Sequence, residues 1–304
     1  MSFSLRKFRQ RILLPALALS LFSTSFVSCT REEIIGRATN AAIGAGVGFI
    51  QSRLISPAQE VQMGEETRRQ VLNQYRLYTA SPELVNYVKS VGEKVKQNAE
   101  RRDELNYRFD IVESNEVNAF TIPGGSIFIT TEALKYMRNE AELAGVLGHE
   151  LAHNEDKHAL ESLQRAMVAQ GVAGGALSQQ DNVLVQAAAS LTLDLILKGF
   201  SRSQEKEADI TGARLATSAS YDEEGLLGFL QTLSSLSGGD PSGFFKFLLT
   251  HPGSEERIAL LREFYSETDL EVANPVLGEA EYRQKISVLG PRIPPGQTGR
   301  NGGS

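Results

Sequence analysis

The sequence predicts a mainly helical α+β fold with one small β-sheet or hairpin. Apolar residues recur every three to four positions over most of the chain after residue 60, as in helices that bury one face. Residues 107–131 switch to the alternating pattern of strands. The 304 residues are 41% hydrophobic and 22% charged, which is ordinary for a globular protein of one large domain or two small ones.

The predicted elements follow in order along the chain. Residues 61–100 have a helical pattern, and Ser81 followed by Pro82 is typical of a helix start. Strands are predicted at 109–112, 118–122 and 126–130, and the turn sequence at 123–125 joins the last two as a hairpin. Further helices are predicted at 132–170, at 183–219 with an interruption near Gly199, and at 226–236, 244–249 and 255–265, with a Gly/Ser-rich break at 171–182.

Charge and cysteine content exclude several classes of protein. A formal net charge of −6 excludes a broadly basic nucleic-acid binder. The chain has one cysteine, which excludes an internal disulfide framework, a CxxC redox pair and a cysteine-based zinc finger. Three of the four histidines fall within residues 149–158, and this clustering indicates where the chemistry lies.

Residues 148–153 read GHELAH. On a helix, His149 and His153 are four residues apart, so both imidazoles leave the same face and can hold one Zn²⁺. Glu150 lies beside the first ligand and can reach a water without binding the metal. This HExxH pattern is typical of metal-assisted hydrolysis, in which the metal lowers the pKa of water and the glutamate takes its proton. The alternative is a pair of structural surface histidines.

Catalytic zinc usually has three protein ligands, so HExxH needs a third. One class places a histidine six residues after the second, but Ala159 occupies that position here. The segment 201–209 offers carboxylates instead, because Glu205 and Asp209 are four residues apart and share a helix face. We expect Glu205 to coordinate zinc and Asp209 to hydrogen-bond a ligand imidazole. Glu207 projects to the other side of this helix.

Four motifs together resemble the zinc metalloprotease family that includes HtpX and the CAAX prenyl endopeptidase. They are HExxH, ExxAD at 205–209, NAFTIPGGSIFIT at 118–130 and THPGSEERI at 250–258, which has Gly253 where the family usually has proline. The resemblance covers residues 60–265. The family's transmembrane helices are not predicted here, which indicates the soluble, membrane-anchored branch of LoiP-like and BepA-like proteases.

The resemblance implies a zincin-like metalloprotease domain with the hairpin beside the HExxH helix. It implies one Zn²⁺ per chain, with these roles: ligands His149, His153 and Glu205, general base Glu150, and Asp209 behind a ligand. The hairpin strand would pair with an extended protein substrate, and Asn118 is a candidate substrate contact.

Three further residues carry open alternatives. His251 is expected to hydrogen-bond the developing oxyanion, to reach the zinc in a closed state, or to be structural. Arg257 is expected to steady the substrate or to pair with Glu255 or Glu256 on its own helix. His158, five residues after His153, is predicted to be structural.

The amino terminus predicts export. Residues 1–11 carry four basic side chains and no acid, and the apolar run at 12–27 is too short and too polar to span a membrane. Residues 26–29 resemble the bacterial lipobox, which would make Cys29 a lipidated first residue. Thr30, where an inner-membrane retention signal has Asp, favours the outer membrane facing the periplasm. The alternative is an ordinary signal peptide with an incidental cysteine.

The sequence thus divides into a signal peptide (1–28), a lipidated cysteine with a small-residue tether (29–60), a zinc metalloprotease domain (61–290) and a disordered tail (291–304). We expect a lipid-anchored endopeptidase that hydrolyses unfolded or misassembled cell-envelope proteins and binds no nucleic acid. The alternative is a chaperone-like outer-membrane assembly factor with little or latent proteolysis.

Overall fold

The computed structural model describes residues 55–169, 182–237, 245–268 and 272–292. Cys29, the tether, most of the Gly/Ser-rich break and most of the tail lie outside these ranges. The helices are α1 (Pro57–Gln74), α2 (Pro82–Lys96), α3 (Thr131–Tyr136), α4 (Glu140–Glu155), α5 (His158–Ala169), α6 (Asn182–Lys198), α7 (Arg202–Ser218), α8 (Glu224–Ser237), α9 (Lys246–Thr250), α10 (Ser254–Glu267) and α11 (Glu279–Ile286). The strands are β1 (Arg76–Leu77), β2 (Arg108–Glu113), β3 (Ala119–Ile122) and β4 (Ser126–Thr130).

The predicted α+β fold, mainly helical with a small sheet, is confirmed. The sheet has the order β1-β2-β4-β3. β3 and β4 form the predicted antiparallel hairpin, with Ala119 opposite Ile129, while β2 and β4 are parallel and β1 pairs antiparallel with β2. The hairpin turn is a short 3₁₀ segment, Pro123–Gly125, in which Gly124 has a φ of 80° that favours glycine. β3 is therefore an edge strand of this sheet.

The sheet separates two apolar clusters. Ile127 and Ile129 of β4 face the larger cluster, which also contains the buried faces of α2, α4 and α8. Phe128, between them, faces a smaller cluster that includes Val71 of α1 and Phe200. Both clusters are buried, so β4 is covered on its two faces as a central strand of such a fold is expected to be.

The continuous helix predicted at 132–170 is wrong, because the chain turns twice within it. It leaves the helical path after Tyr136, and Asn139 then caps α4 by accepting a hydrogen bond from the backbone N–H of Glu142 at 2.8 Å. The second interruption follows Glu155, where Lys157 adopts a left-handed φ of 58° before α5 begins. The helical pattern at 61–100 is likewise divided, by the short strand β1.

The other predicted helices lie close to the observed ones. Ser81 caps α2 by accepting from Leu84, and the interruption near Gly199 separates α6 from α7, with Gly199 at a φ of 95°. Sequence reasoning did not identify β1 or α11. Within the described ranges, the helices lack the combination of length and apolar character that a bilayer span requires.

Candidate active site

The helix α4 carries the HExxH motif, and it is fixed at both ends. At its start, the carboxylate of Glu140 accepts hydrogen bonds from the hydroxyls of Tyr87 at 2.7 Å and Tyr221 at 2.8 Å. At its end, Glu155 accepts from Tyr107 at 2.7 Å. The motif therefore occupies the last two turns of a helix that is buried along almost its whole length and anchored by charged hydrogen bonds.

The helix α7 brings the second set of functional side chains to α4. Ser201 and Gln204 form a capping box that sets its first turn, from which Glu205 projects. Two glycines allow the helices to approach closely, because a Cβ at Gly148 would lie 2.8 Å from the carbonyl oxygen of Gly212. Asp209 lies one turn after Glu205, as the shared face predicts.

The three expected zinc ligands meet at one buried point. Nε2 of His149 lies 3.1 Å from Nε2 of His153, and the carboxylate oxygens of Glu205 lie 3.5 Å and 3.6 Å from these nitrogens. All three side chains are buried. The Nδ1 atom of each imidazole contacts another side chain on the side away from the cluster, so the two Nε2 atoms face the carboxylate of Glu205. Two imidazole nitrogens and a carboxylate form a donor set that Zn²⁺ prefers. These residues fit the metal.

Glu150 lies beside this cluster with its carboxylate free of direct partners. Both of its oxygens are buried, and neither has a hydrogen bond within the described residues. Burial raises the pKa of Glu150, since a charged carboxylate is poorly solvated there. A buried carboxylate left unpaired next to a metal-type donor set is suited to exchanging protons with a reactant.

Asp209 and Arg257 lie behind the imidazole of His149, on the side away from the cluster. The carboxylate of Asp209 lies 3.0 Å from Nδ1 of His149, and the guanidinium of Arg257 donates to both of its oxygens at 2.7 Å and 2.8 Å. Burial opposes ionisation of Asp209, but the Arg257 charge outweighs it and lowers the pKa of Asp209. Burial and the charge of Arg257 lower the pKa of His149, yet the carboxylates of Asp209 and Glu205 outweigh them and raise it to about 9.

Arg257 does not form the ion pair expected within its own helix. Its side chain is 1% exposed and contacts Asp209 and, at 3.0 Å, Glu205, whereas Glu256 pairs with Arg202 at 2.7 Å. The expected pairing with Glu255 or Glu256 is therefore wrong. The carboxylates of Asp209 and Glu205 are both buried, so they would be left without a compensating charge if this guanidinium were removed.

His251 lies inside the cluster. Its Nδ1 is 3.2 Å from Nε2 of His149 and 3.2 Å from both oxygens of Glu205. Together with His153, these side chains offer four ligand atoms that all lie within 4.8 Å of one another. The Nε2 atom of His251 lies 3.5 Å from Glu150 and 3.4 Å from the carbonyl of Ala119. The ring of Phe247 stacks on it at 4.3 Å. His251 therefore occupies the space between the expected ligands, Glu150 and β3.

Asn118 lies at the start of β3. Its side-chain oxygen accepts from Thr250 at 3.3 Å, while its buried Nδ2 has no hydrogen-bond partner within the described residues. The following strand is buried throughout, and α6 packs near it. The expected substrate-binding edge is thus next to the cluster and covered in this structure.

Sequence reasoning missed two residues that contact the second ligand. The ring of Phe200 stacks on His153 at a centroid distance of 4.0 Å. His158 lies with its Nδ1 2.9 Å from Nδ1 of His153. The helical periodicity placed His158 away from the ligand face, because nothing in the pattern revealed the turn at Lys157.

A buried HExxH helix, with a carboxylate from a second helix completing the donor set, defines a zincin-like metalloprotease. This conclusion agrees with comparison to known proteins. The chain belongs to peptidase family M48, whose profile matches residues 82–265. The family is one of peptidases, and the buried side chains of His149, His153, Glu205 and His251 form a group that could hold a metal ion.

Relatives come from bacteria and mitochondria. The chain is 30% identical over 225 residues to the beta-barrel assembly-enhancing protease of Escherichia coli K12, covering 70% of this chain and 45% of that protein. It is 27% identical to metalloprotease YcaL of the same organism, covering 81% and 95%, and 26% identical to mitochondrial metalloendopeptidase OMA1 of Schizosaccharomyces pombe, covering 69% and 62%. It therefore spans about half the length of the beta-barrel assembly-enhancing proteases.

Proposed function

We propose that His149, His153 and Glu205 hold the catalytic zinc and that Glu150 is the general base. When bound by these residues, zinc would lower the pKa of a water and polarise the substrate carbonyl. Glu150 then takes the proton of the attacking water and delivers it to the leaving amine, so one carboxylate serves both halves of the reaction. The observation that carries this proposal is the convergence of three buried donor groups beside an unpaired buried carboxylate.

His251 holds the site in a closed form. Its ring nitrogens lie 3.2 Å from both oxygens of Glu205 and 3.4 Å from the carbonyl of Ala119, and Nε2 is 3.5 Å from Glu150, in the space that a water and a substrate carbonyl need. The second of the expected roles, contact with the metal site in a closed state, is therefore favoured over an oxyanion donor. Displacement of His251 would free the carbonyl of Ala119 in β3. An extended substrate would add to β3 by backbone pairing once α6 also moves from it, with Asn118 as a further contact.

The proposed substrates are unfolded or misassembled proteins of the cell envelope. Three points support this role: the predicted export signal, the edge strand that suits loose sequence preference, and the similarity to a protease named for enhancing beta-barrel assembly. A strain lacking this protein should accumulate unassembled envelope proteins under stress. An unchanged envelope proteome would count against the role.

The location proposed is the periplasmic face of the outer membrane, through lipidated Cys29. Loss of residues 1–28 removes four basic and no acidic side chains, so attraction to anionic lipid cannot replace acyl chains. Cys29→Ser should release the protein from the membrane fraction, and Thr30→Asp should move it to the inner membrane. Unchanged membrane fractionation of both variants would contradict the proposed lipid anchor at Cys29.

The peptidase proposal is tested by digestion of casein with the zinc-loaded full chain. Glu150→Gln should bind zinc normally and lose cleavage by several orders of magnitude, because it removes the proton acceptor alone. Glu263→Gln is the control, since that glutamate is exposed and is not one of the residues of the cluster. Equal cleavage by wild type and Glu150→Gln would reject the assignment of the base. Zinc binding without cleavage by any form would favour the assembly factor with latent proteolysis, for which the closed position of His251 is the structural argument.

A further inference from the structure

The back of the second ligand imidazole faces another histidine. Nε2 of His153 points to the cluster, so its lone pair is the one available to zinc and its proton resides on Nδ1. That Nδ1 lies 2.9 Å from Nδ1 of His158. His153 therefore donates to His158, whose own proton must then reside on its Nε2.

The other nitrogen of His158 completes a chain of hydrogen bonds. It lies 3.3 Å from the carboxylate of Glu207, to which it donates, and the carboxylate of Asp156 lies close by. His158 is buried at 1% exposure, whereas the side chain of Glu207 is 61% exposed.

We propose that His158, supported by Glu207, is a positioning residue that fixes the tautomer and ring orientation of His153. Asp209 occupies the equivalent place behind His149, at 3.0 Å from its Nδ1. Both ligands thus present Nε2 to the metal, one through a direct carboxylate and one through an imidazole. The inference rests on the proposed ligand set and assigns a role to two residues outside it.

The break between α4 and α5 creates this contact. Five residues along an uninterrupted helix correspond to a rotation of about 140°, so His158 would point away from His153. The left-handed residue Lys157 instead turns the chain, and His158 becomes the first residue of α5, lying over the last turn of α4. The ring of Phe200 covers the face of His153, leaving the hydrogen bond at Nδ1 to set its rotation and tautomer.

The test compares His158→Asn with His158→Leu in the full chain. The side-chain oxygen of asparagine lies where Nδ1 of histidine lies and accepts the same hydrogen bond, while leucine has similar bulk and no acceptor. Competition with a fluorescent zinc chelator should give a zinc dissociation constant raised about 10- to 100-fold for leucine. Asparagine should stay near the wild-type value. Leucine with wild-type affinity, or asparagine as weak as leucine, would overturn the proposal.

A second measurement does not depend on how the variants fold. The chain has four histidines, so nitrogen NMR of the zinc-loaded protein can assign every imidazole. Nδ1 of His153 and Nε2 of His158 should each carry a proton. A proton on Nδ1 of His158, or a second zinc bound by Asp156, His158 and Glu207, would refute the inference. If wild type binds zinc with these tautomers and cleaves no casein, the peptidase proposal fails while the positioning role stands.

Discussion

The contact between Gly148 and Gly212 sets how closely the two ligand-bearing helices pack. A Cβ at Gly212 would lie 2.7 Å from both the backbone N and Cα of His149. The backbone atoms of a helix cannot relieve such a clash by a change of rotamer, as the end of a flexible side chain can. Gly212→Ala should therefore push α7 away from α4 and move Glu205 and Asp209 relative to His149.

The size of this effect differs between stability and catalysis. Ordinary contact begins at 3.4 Å, so the 2.7 Å approach requires a shift of about 0.7 Å. Overpacking costs about 1–3 kcal/mol, and the better helix propensity of alanine returns about 1 kcal/mol. The free energy of unfolding should fall by at most about 2 kcal/mol. A displacement approaching 1 Å in the site can nevertheless reduce turnover by about 100-fold.

The assay measures casein cleavage, zinc affinity and thermal midpoint for Gly212→Ala beside Gly228→Ala. Gly228 lies inside α8, and its Cβ would meet the ends of the Arg138 and Glu142 side chains rather than backbone. The control should keep its activity and melt at or slightly above the wild-type temperature. Wild-type cleavage and zinc affinity in Gly212→Ala would refute the view that close helix packing positions the donor set.

Three further predictions concern the cluster. Arg257→Met should lower the free energy of unfolding by about 3–5 kcal/mol at pH 7, because it strands buried carboxylates. This loss corresponds to a fall of about 6–20 °C in melting temperature. Arg257 lowers the pKa of Asp209 in the folded protein. The stabilisation from this pair is therefore complete above the unfolded pKa of about 3.9 and declines as the pH falls toward the folded pKa. The stability difference between wild type and Arg257→Met should shrink on acidification, and calorimetry showing that it grows would contradict this. His251→Ala should increase casein cleavage, whereas a fall of about 10²- to 10³-fold would instead identify an oxyanion donor. Free zinc at 1,000 times its dissociation constant should raise the free energy of unfolding by about 4.1 kcal/mol, and its removal should abolish this gain. An unchanged melting temperature after zinc removal would contradict binding to the folded state alone.

The sequence predicts this protein best where the signal is local. The hairpin follows from Pro123–Gly125 between two alternating apolar segments, and the shared face of His149 and His153 follows from their spacing. The pairing of β2 with β4 is parallel and joins residues distant in sequence, so no local pattern encodes it.

The contacts that sequence reasoning missed depend on backbone turns without a strong residue signal. Lysine rarely adopts a left-handed conformation, so the residue type at 157 does not predict the turn that brings His158 behind His153. One of the two roles expected for Arg257 was a pair with Glu255 or Glu256, but side chains one or two positions apart on a helix do not face each other. The actual partners of Arg257, Asp209 and Glu205, became available only because α10 packs on α7.

The central claim is that one zinc ion lies among His149, His153 and Glu205. Anomalous diffraction at the zinc absorption edge, from crystals of the full chain, tests it most directly. We predict a single strong peak at about 2.0–2.2 Å from Nε2 of both histidines and from an oxygen of Glu205. A peak among Asp156, His158 and Glu207 instead, or no peak in zinc-loaded protein, would contradict the account.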